Sequence, residues 1–366
     1  MKAAILKAFG SPLAVETVAD PVLGTGETIV DVVAAGVLPY AGEVFSGARK
    51  YLLTVPVIPG AGAIGRVRAV GPDATRLKAG DWVSCDPTVR SRDDALTPDI
   101  TLQGLSARGE GGLKLQEHFH HGSYAEQMRV PTENAIPIGA IEAGDAGRWC
   151  SLSLLLVPYG GLLAADFRAG ETVLVSGATG NFGSAAVAVA LAMGAGCVIA
   201  PGRNGAVLAA LKRRFGARVR TVALTGNEAN DRKRMMEAAP GPIDVVLDLL
   251  SPAAGVTPVR AAAMTVREYG RVVLMGGVGM LGGDDLALPY PWIMRNNIRI
   301  LGQWMYPREA TTRMVGLIRA GLLDLGQFEV TSFALADINK AVAHAAAHGG
   351  PFKRTVVCPD PPRFPR

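Results

Sequence analysis

The chain has 366 residues, of which 49% are hydrophobic and 19% charged. This is enough apolar material for two packed domains, and it excludes a disordered chain. The formal net charge of +5 is not gathered into a long Lys/Arg run, which excludes a nucleic-acid-binding arm, so no nucleic-acid partner is expected. The longest apolar stretch, residues 185–195, is too short to span a bilayer; it reads as a buried helix, and no membrane partner is expected.

The first five residues, Met1-Lys2-Ala3-Ala4-Ile5, lack an apolar signal core and alternate as a strand does. β-Branched and small residues predict strands over 28–34 and 63–70, with another at 81–84 after a Lys-Ala-Gly turn. Residues 88–121 are polar and keep no apolar period, so a long loop or lobe is expected there. Gly122-Ser123-Tyr124-Ala125-Glu126 then leads into a further short strand.

From about residue 140 helices and strands alternate. Helices are predicted at 152–164, 182–193 and 206–215, and strands at 172–176, 197–200, 243–248 and 271–275. Alternation of this kind argues for a parallel sheet covered by helices on both faces. Two more helices, 311–320 and 338–348, and a strand at 353–358 follow; residues 359–366, with four prolines, read as a loose tail. Cys85, Cys150, Cys197 and Cys358 are scattered and form no C-x-x-C pair. A disulfide framework is not expected in so large a chain, and a cytoplasmic location fits.

The strongest local signal is Val173-Leu174-Val175-Ser176-Gly177-Ala178-Thr179-Gly180-Asn181-Phe182-Gly183. An apolar strand runs into a glycine-spaced turn and then a helix of small residues. Glycines let the backbone turn sharply beside a pyrophosphate, and the helix N-terminus offers N–H groups and its positive dipole end to the anion. The expected dinucleotide contacts are Ser176, Gly177, Thr179, Gly180, Asn181, Phe182 and Gly183. About 20 residues on, where an acidic residue would meet a free ribose 2′-hydroxyl, the chain reads Pro201-Gly202-Arg203-Asn204. Gly202 leaves room, the Arg203 fork suits a 2′-phosphate, and Asn204 adjoins it, so NADPH (NADP+) is preferred to NADH. A solvated turn residue is the other reading of Arg203. Gly276, Gly277 and Val278, which end a Gly-Arg-Val-Val strand, are expected beside the nicotinamide or, alternatively, form an ordinary strand end.

In this order the segments resemble the medium-chain dehydrogenase/reductase superfamily, over nearly the whole chain. Pro59-Gly60-Ala61-Gly62-Ala63-Ile64-Gly65-Arg66-Val67 resembles its P-G-H-E-x-x-G-x-V segment, and Gly80-Asp81-Trp82-Val83 its G-D-x-V. The resemblance implies an α/β fold class: a Rossmann doubly wound parallel sheet domain over 143–299, plus an irregular, mostly β (GroES-like) catalytic domain over 1–142 to which residues 300–366 return. It also implies a homodimer.

The departures from the family pattern bear on chemistry. Where zinc alcohol dehydrogenases carry a Cys two residues after a Gly-Val pair, Gly36-Val37 is followed by Leu38 and Pro39. The His and Glu of P-G-H-E are Ala61 and Gly62, and the third ligand position falls at Ser153 or a neighbour. The closely spaced cysteines of the family's structural zinc lobe are missing. Leucine and alanine cannot bind zinc, so no metal is expected. His118, His120 and His121 read as solvated or cleft-lining groups rather than ligands, and His344 and His348, at i, i+4 spacing, lack a third partner nearby.

The zinc-free branch of the family resembles quinone reductases and reductases of activated C=C bonds. The resemblance implies hydride transfer from NADPH to a small-molecule quinone or enone, with negative charge developing on an oxygen. Tyr40, in the slot of the family's proton-relay Ser or Thr, is the catalytic candidate; it either hydrogen-bonds the developing enolate or fills space vacated by the metal, and water is the alternative proton donor. Tyr51 has a weaker case. Tyr40, Trp292, Trp304 and Tyr306, along with Tyr290 and Met305, are expected to wall a substrate pocket between the domains, with core packing as the competing reading. Two alternatives stay open: a zinc-independent alcohol/carbonyl dehydrogenase, and a non-catalytic NADPH-binding protein.

Overall fold

The computed structural model describes residues 1–359, and the chain divides into two units. The first holds Met1–Ser153, Leu325–Gly349 and the chain from Lys353; the second holds Leu154–Asp324 and Gly350–Phe352.

The first unit is mostly β. Strands β1 (Lys2–Ile5) and β2 (Ala14–Thr17) form a hairpin. Strand β3 (Glu27–Val37) is buried along nearly its whole length because it is paired on both sides. The short helix α1 (Ala41–Phe45) follows it directly, then β4 (Ala63–Val70) and β5 (Trp82–Cys85). Residues 88–121, expected as a long loop or a lobe, form a structured lobe. It holds a three-stranded sheet of β6 (Thr88–Arg90), β7 (Ile100–Leu102) and β8 (Ser106–Arg108), and the helix α2 (Gly109–His118). Strands of three residues are too short to establish an alternating pattern, and α2 carries few apolar residues, which is why no period was legible. Strands β9 (Gln127–Pro131) and β10 (Ala135–Pro137) and the short helix α3 (Ala146–Trp149) complete this stretch.

The second unit begins in the first turn of α4 (Leu152–Ala164). It continues with β11 (Thr172–Ser176), α5 (Asn181–Ala192), β12 (Cys197–Gly202), α6 (Gly205–Phe215), β13 (Val219–Ala223) and α7 (Glu228–Ala238). Then come β14 (Ile243–Asp248), α8 (Val256–Ala263), β15 (Val266–Leu274), α9 (Tyr290–Arg295), β16 (Arg299–Gly302) and α10 (Ala310–Arg319). All six strands are parallel, in the order β13-β12-β11-β14-β15-β16. Counted from β11 this is 3-2-1-4-5-6, the doubly wound Rossmann order. The inner strands β11, β12 and β14 are largely apolar runs because helices cover both faces; Val173, Leu174, Val175, Ile199 and Val245 are fully buried. Residues 300–324, expected to return to the first unit, stay in the second, because β16 completes the parallel sheet and α10 follows it.

The return comes later. Strands β17 (Glu329–Ala334) and β18 (Lys353–Cys358), with α11 (Ile338–His348) between them, rejoin the first unit. Strand β18 pairs antiparallel with the end of β3, with Thr355 opposite Val37 and Val356 opposite Gly36. The first unit's large sheet then runs β10-β5-β4-β3-β18-β17, with β9 also on β3. Most of the expected tail, from residue 360, lies outside the described residues.

Candidate active site

In the second unit the sheet order reverses between β11 and β14, and ligands of open α/β sheets bind at the carboxyl ends of the strands at such a point. The turn after β11 sits there. Gly177 takes φ +88°, and a Cβ at Gly183 would stand 1.9 Å from the Gly177 carbonyl oxygen. The first turn of α5 therefore packs directly on the turn that precedes it. Gly180 is the N-cap of α5, which aims the helix dipole at this turn. Asn181 and Phe182 are half-buried in the first turn, and the Asn181 amide donates to the Gly350 carbonyl at 2.8 Å.

Next to the turn, Gly202 ends β12 so closely packed that a Cβ would lie 2.3 Å from Thr179 Cγ2. Ser176, Gly177, Thr179, Gly202 and the exposed Arg203 line one cleft together with Asp231. Both Asp231 oxygens are occupied by the adjoining loop: they accept from Thr225 N (2.7 Å), Thr225 Oγ1 (2.8 Å) and Gly226 N (3.0 Å). Arg203 is thus the charged group left facing outward at the end of β12. The Asn204 side chain is engaged otherwise, capping α6 by accepting from Ala206 N and Val207 N.

Asp248, at the carboxyl end of β14, was not singled out from sequence. It is 3% exposed and accepts the Ser176 hydroxyl at 2.8 Å. Burial pushes its pKa up to about 6, against the opposing pull of the Ser176 and Leu250 hydrogen bonds. Gly276 passes beside its carboxylate, Gly277 N donates to the Leu250 carbonyl, and Val278 follows half-buried. The loop after β15 is thereby fixed against the end of β14.

Three of the four predicted pocket aromatics of this unit have different environments. Trp292 packs against the sheet core around Val246 and Val272. Tyr306 is 4% exposed and lies against Gly160 of α4. Trp304 is 42% exposed. Core packing accounts for the first two.

In the first unit, Tyr40 is the half-buried N-cap of α1. The Arg49 guanidinium lies 4.0 Å from its ring centroid, and the Tyr51 ring meets it edge-on at 6.5 Å. Burial, then the neighbouring Tyr51, pushes the Tyr40 phenol well above the ordinary value, so it keeps its proton at neutral pH. Leu38 is buried, and Ala61 sits between Gly60 and Gly62, both at positive φ. Ser153 Oγ accepts from the buried Arg354 Nη2 at 2.8 Å. Among the described residues no group of three or more His, Cys, Asp or Glu is placed to hold a metal ion. His118 pairs with Glu27 (2.7 Å), His120 meets the Pro56 carbonyl (2.8 Å), and His121 Nδ1 accepts from Ile58 N (3.2 Å). With Gln103 and Arg129 they line a cavity of about 530 Å³.

A parallel 3-2-1-4-5-6 sheet with a glycine turn at its switch point is the arrangement of a dinucleotide-binding domain. Residues 24–140 match the alcohol dehydrogenase GroES-like domain, and residues 182–320 match the zinc-binding dehydrogenase family. Acryloyl-coenzyme A reductase of Metallosphaera sedula is 28% identical over 311 residues, 82% of this chain and 84% of that protein. Quinone oxidoreductase of Mus musculus is 27% identical over 53% of this chain and 50% of its own length. The crystal structure of AibC superposes with a TM-score of 0.80 at 25% identity, covering 99% of this chain and 96% of that one. The chain belongs to the medium-chain dehydrogenase/reductase superfamily.

Proposed function

We propose that this protein is a zinc-independent, NADPH-dependent reductase that delivers hydride to an activated C=C bond or a quinone. The observation that carries this reading is the chemistry of the three positions matching the family's zinc ligands. Leu38 and Ala61 offer no donor, and at the third position, which falls at Ser153 or a neighbour, the Ser153 hydroxyl oxygen already accepts a hydrogen bond from a cation. These residues do not fit a zinc ion, which needs three protein ligands bearing N, S or O. Without a Lewis acid, a substrate that is already electrophilic is the natural one. The similarity to an acryloyl-coenzyme A reductase and a quinone oxidoreductase supports the same choice.

The preference for NADPH rests on Arg203 beside Gly202 and on the engagement of Asp231 by its own loop. When bound, the cofactor supplies the hydride. The chain's own part is to seat the pyrophosphate on the Gly177–Gly183 turn and to present the tyrosine hydroxyl of Tyr40, protonated, as a hydrogen-bond donor to developing negative charge. A cytoplasmic homodimer completes the reading. No helix among the described residues is long and apolar enough to cross a membrane, and none of the four cysteines is in a disulfide.

The test is NADPH oxidation measured against quinones, enones and simple ketones, before and after dialysis against a chelator. Turnover of quinones or enones that survives chelation is expected. Turnover of ketones alone would favour a carbonyl dehydrogenase, tight NADPH binding without turnover would favour a non-catalytic protein, and chelator-sensitive activity would overturn zinc independence.

A further inference from the structure

The first unit holds a cavity of about 530 Å³, the size of a small-molecule site, and its lining residues all belong to that unit. Ile5, Val18, Ile58, Phe119 and Met128 give it a largely apolar wall. Among the described residues that line it, none is Leu38, Tyr40, Ala61 or Ser153. The charged groups of the wall are already matched within the protein. Asp20 takes the amino group of Met1 at 2.6 Å, and His118 Nε2 and Arg129 Nη1 sit on the Glu27 carboxylate at 2.7 and 3.5 Å. Arg129 also donates to the carbonyls of Val22 and His118.

Two polar edges of the wall are left over. His121 Nδ1 accepts from Ile58 N at 3.2 Å, so Nε2 carries the ring hydrogen. Partial burial, then the neighbouring His120 and Arg129, holds the pKa of His121 down at about 4, and its ring is uncharged near neutral pH. His120 Nε2 meets the Pro56 carbonyl at 2.8 Å. A carbonyl only accepts, so Nε2 donates there, and Nδ1 of the uncharged ring is an acceptor. Among the described residues neither His121 Nε2 nor His120 Nδ1 has a protein partner. The two ring centroids are 4.8 Å apart, which sets a donor on one ring beside an acceptor on the other. Gln103, 1% exposed, ties this wall together: its amide nitrogen donates to the carbonyls of His121 and Arg129 at 2.7 Å each. The edge is thereby held in place before a ligand arrives, which lowers the ordering cost of binding.

We propose that this cavity is a binding site for an uncharged, mainly apolar small molecule that carries a carboxamide. The amide oxygen accepts from His121 Nε2, the amide N–H donates to His120 Nδ1, and the apolar body covers the apolar wall. A carboxylate in the same place has no N–H for His120 and meets no unmatched cation, so its desolvation goes uncompensated. A hydrocarbon leaves both ring nitrogens without partners. The site does not depend on the reductase activity proposed above.

The test is isothermal titration calorimetry of the full-length chain with three probes. They are 2-naphthamide, its N,N-dimethyl derivative, which lacks the N–H donor, and 2-naphthoate. Two variants accompany wild type, each checked by its melting temperature. His121→Phe removes the ring donor at similar volume. Ala19→Trp fills the cavity from an exposed lining position. Wild type is expected to bind 2-naphthamide with a Kd of about 1 mM or tighter, as suits a ligand of this size. The other two probes should bind about tenfold more weakly, or not at all, for want of a hydrogen bond. His121→Phe should weaken 2-naphthamide about tenfold, and Ala19→Trp should abolish its binding. If His121→Phe does not fold, the probe series and Ala19→Trp decide. The proposal is overturned if wild type does not bind 2-naphthamide, if the naphthoate or the dimethyl amide binds as tightly, or if either folded variant binds 2-naphthamide as wild type does.

Discussion

Gly183 stands so close to Gly177 that a Cβ on the former would lie 1.9 Å from the carbonyl oxygen of the latter. The contact is with backbone, which cannot swing aside, so the turn and the helix would have to separate. Gly183→Ala is expected to cost about 1–3 kcal/mol of stability, as overpacking does, and to abolish measurable dinucleotide binding. Calorimetry and nucleotide fluorescence check it; unchanged affinity would show that the turn does not seat the pyrophosphate.

Arg203 and Gly202 share one cleft with the glycine turn. Arg203→Ala is expected to weaken NADPH binding by about 10- to 100-fold, the loss of a charge-assisted contact, and to leave NADH binding nearly unaltered. Equal losses for the two nucleotides would refute the assignment to a 2′-phosphate.

Asp248 carries a pH dependence whose sign follows from its burial. Its pKa is about 6 in the folded chain against 3.8 for an ordinary aspartate. Between these values the folded state holds a proton that the unfolded state has released, so its contribution to stability falls as pH rises through this window. The shift corresponds to about 3 kcal/mol. Asp248→Asn removes the titration while an amide oxygen can still accept the Ser176 hydroxyl. Its melting temperature relative to wild type should rise between pH 4 and pH 7; a difference that stays flat with pH contradicts the buried, protonatable carboxyl.

Tyr40 is held by Arg49 against its ring and by Tyr51 at its edge. If it donates to the developing oxyanion, Tyr40→Phe should lower kcat by about 100-fold with little change in melting temperature. Because burial raises its pKa, the wild-type kcat profile should show no Tyr40 ionisation up to pH 10. Full activity in the Phe variant would leave Tyr40 as a space-filling residue.

Strand β16 forms an edge of the parallel sheet, and Ile300 on it is 36% exposed, with Tyr290 at 76% and Met294 at 55% nearby in sequence. An open edge that bears an exposed apolar side chain is a template for pairing. We expect a two-chain mass by light scattering and a one-chain mass for Ile300→Lys. A monomeric wild type at micromolar concentration would remove the homodimer from the reading.

Local features could be read from the residues alone. The strand, glycine turn and small-residue helix at 172–192 is contiguous, and helical and strand periods are visible within a single segment. So β4, α4, β11, β14, α11 and β18 fall within the stretches expected of them. The absence of ligating side chains at Leu38 and Ala61 was equally legible, since it needs only residue identity. Short strands were not: β6 to β8 carry three residues each, and their stability comes from pairing rather than pattern. Trp292 was readable either as a pocket wall or as core, and its packing against the sheet decides for the core. It was not visible that β16 would keep residues 300–324 with the parallel sheet, or that Asp248 would be desolvated beside Ser176. The buried Arg354 is the clearest case. The pairing of β18 with β3 brings Arg354 to Val37, 317 positions away, and to Ser153, 201 positions away. A pattern in sequence records what neighbours in the chain do together. Where a charge is buried, and what it faces, depends on long-range packing, and only the tertiary structure decides it.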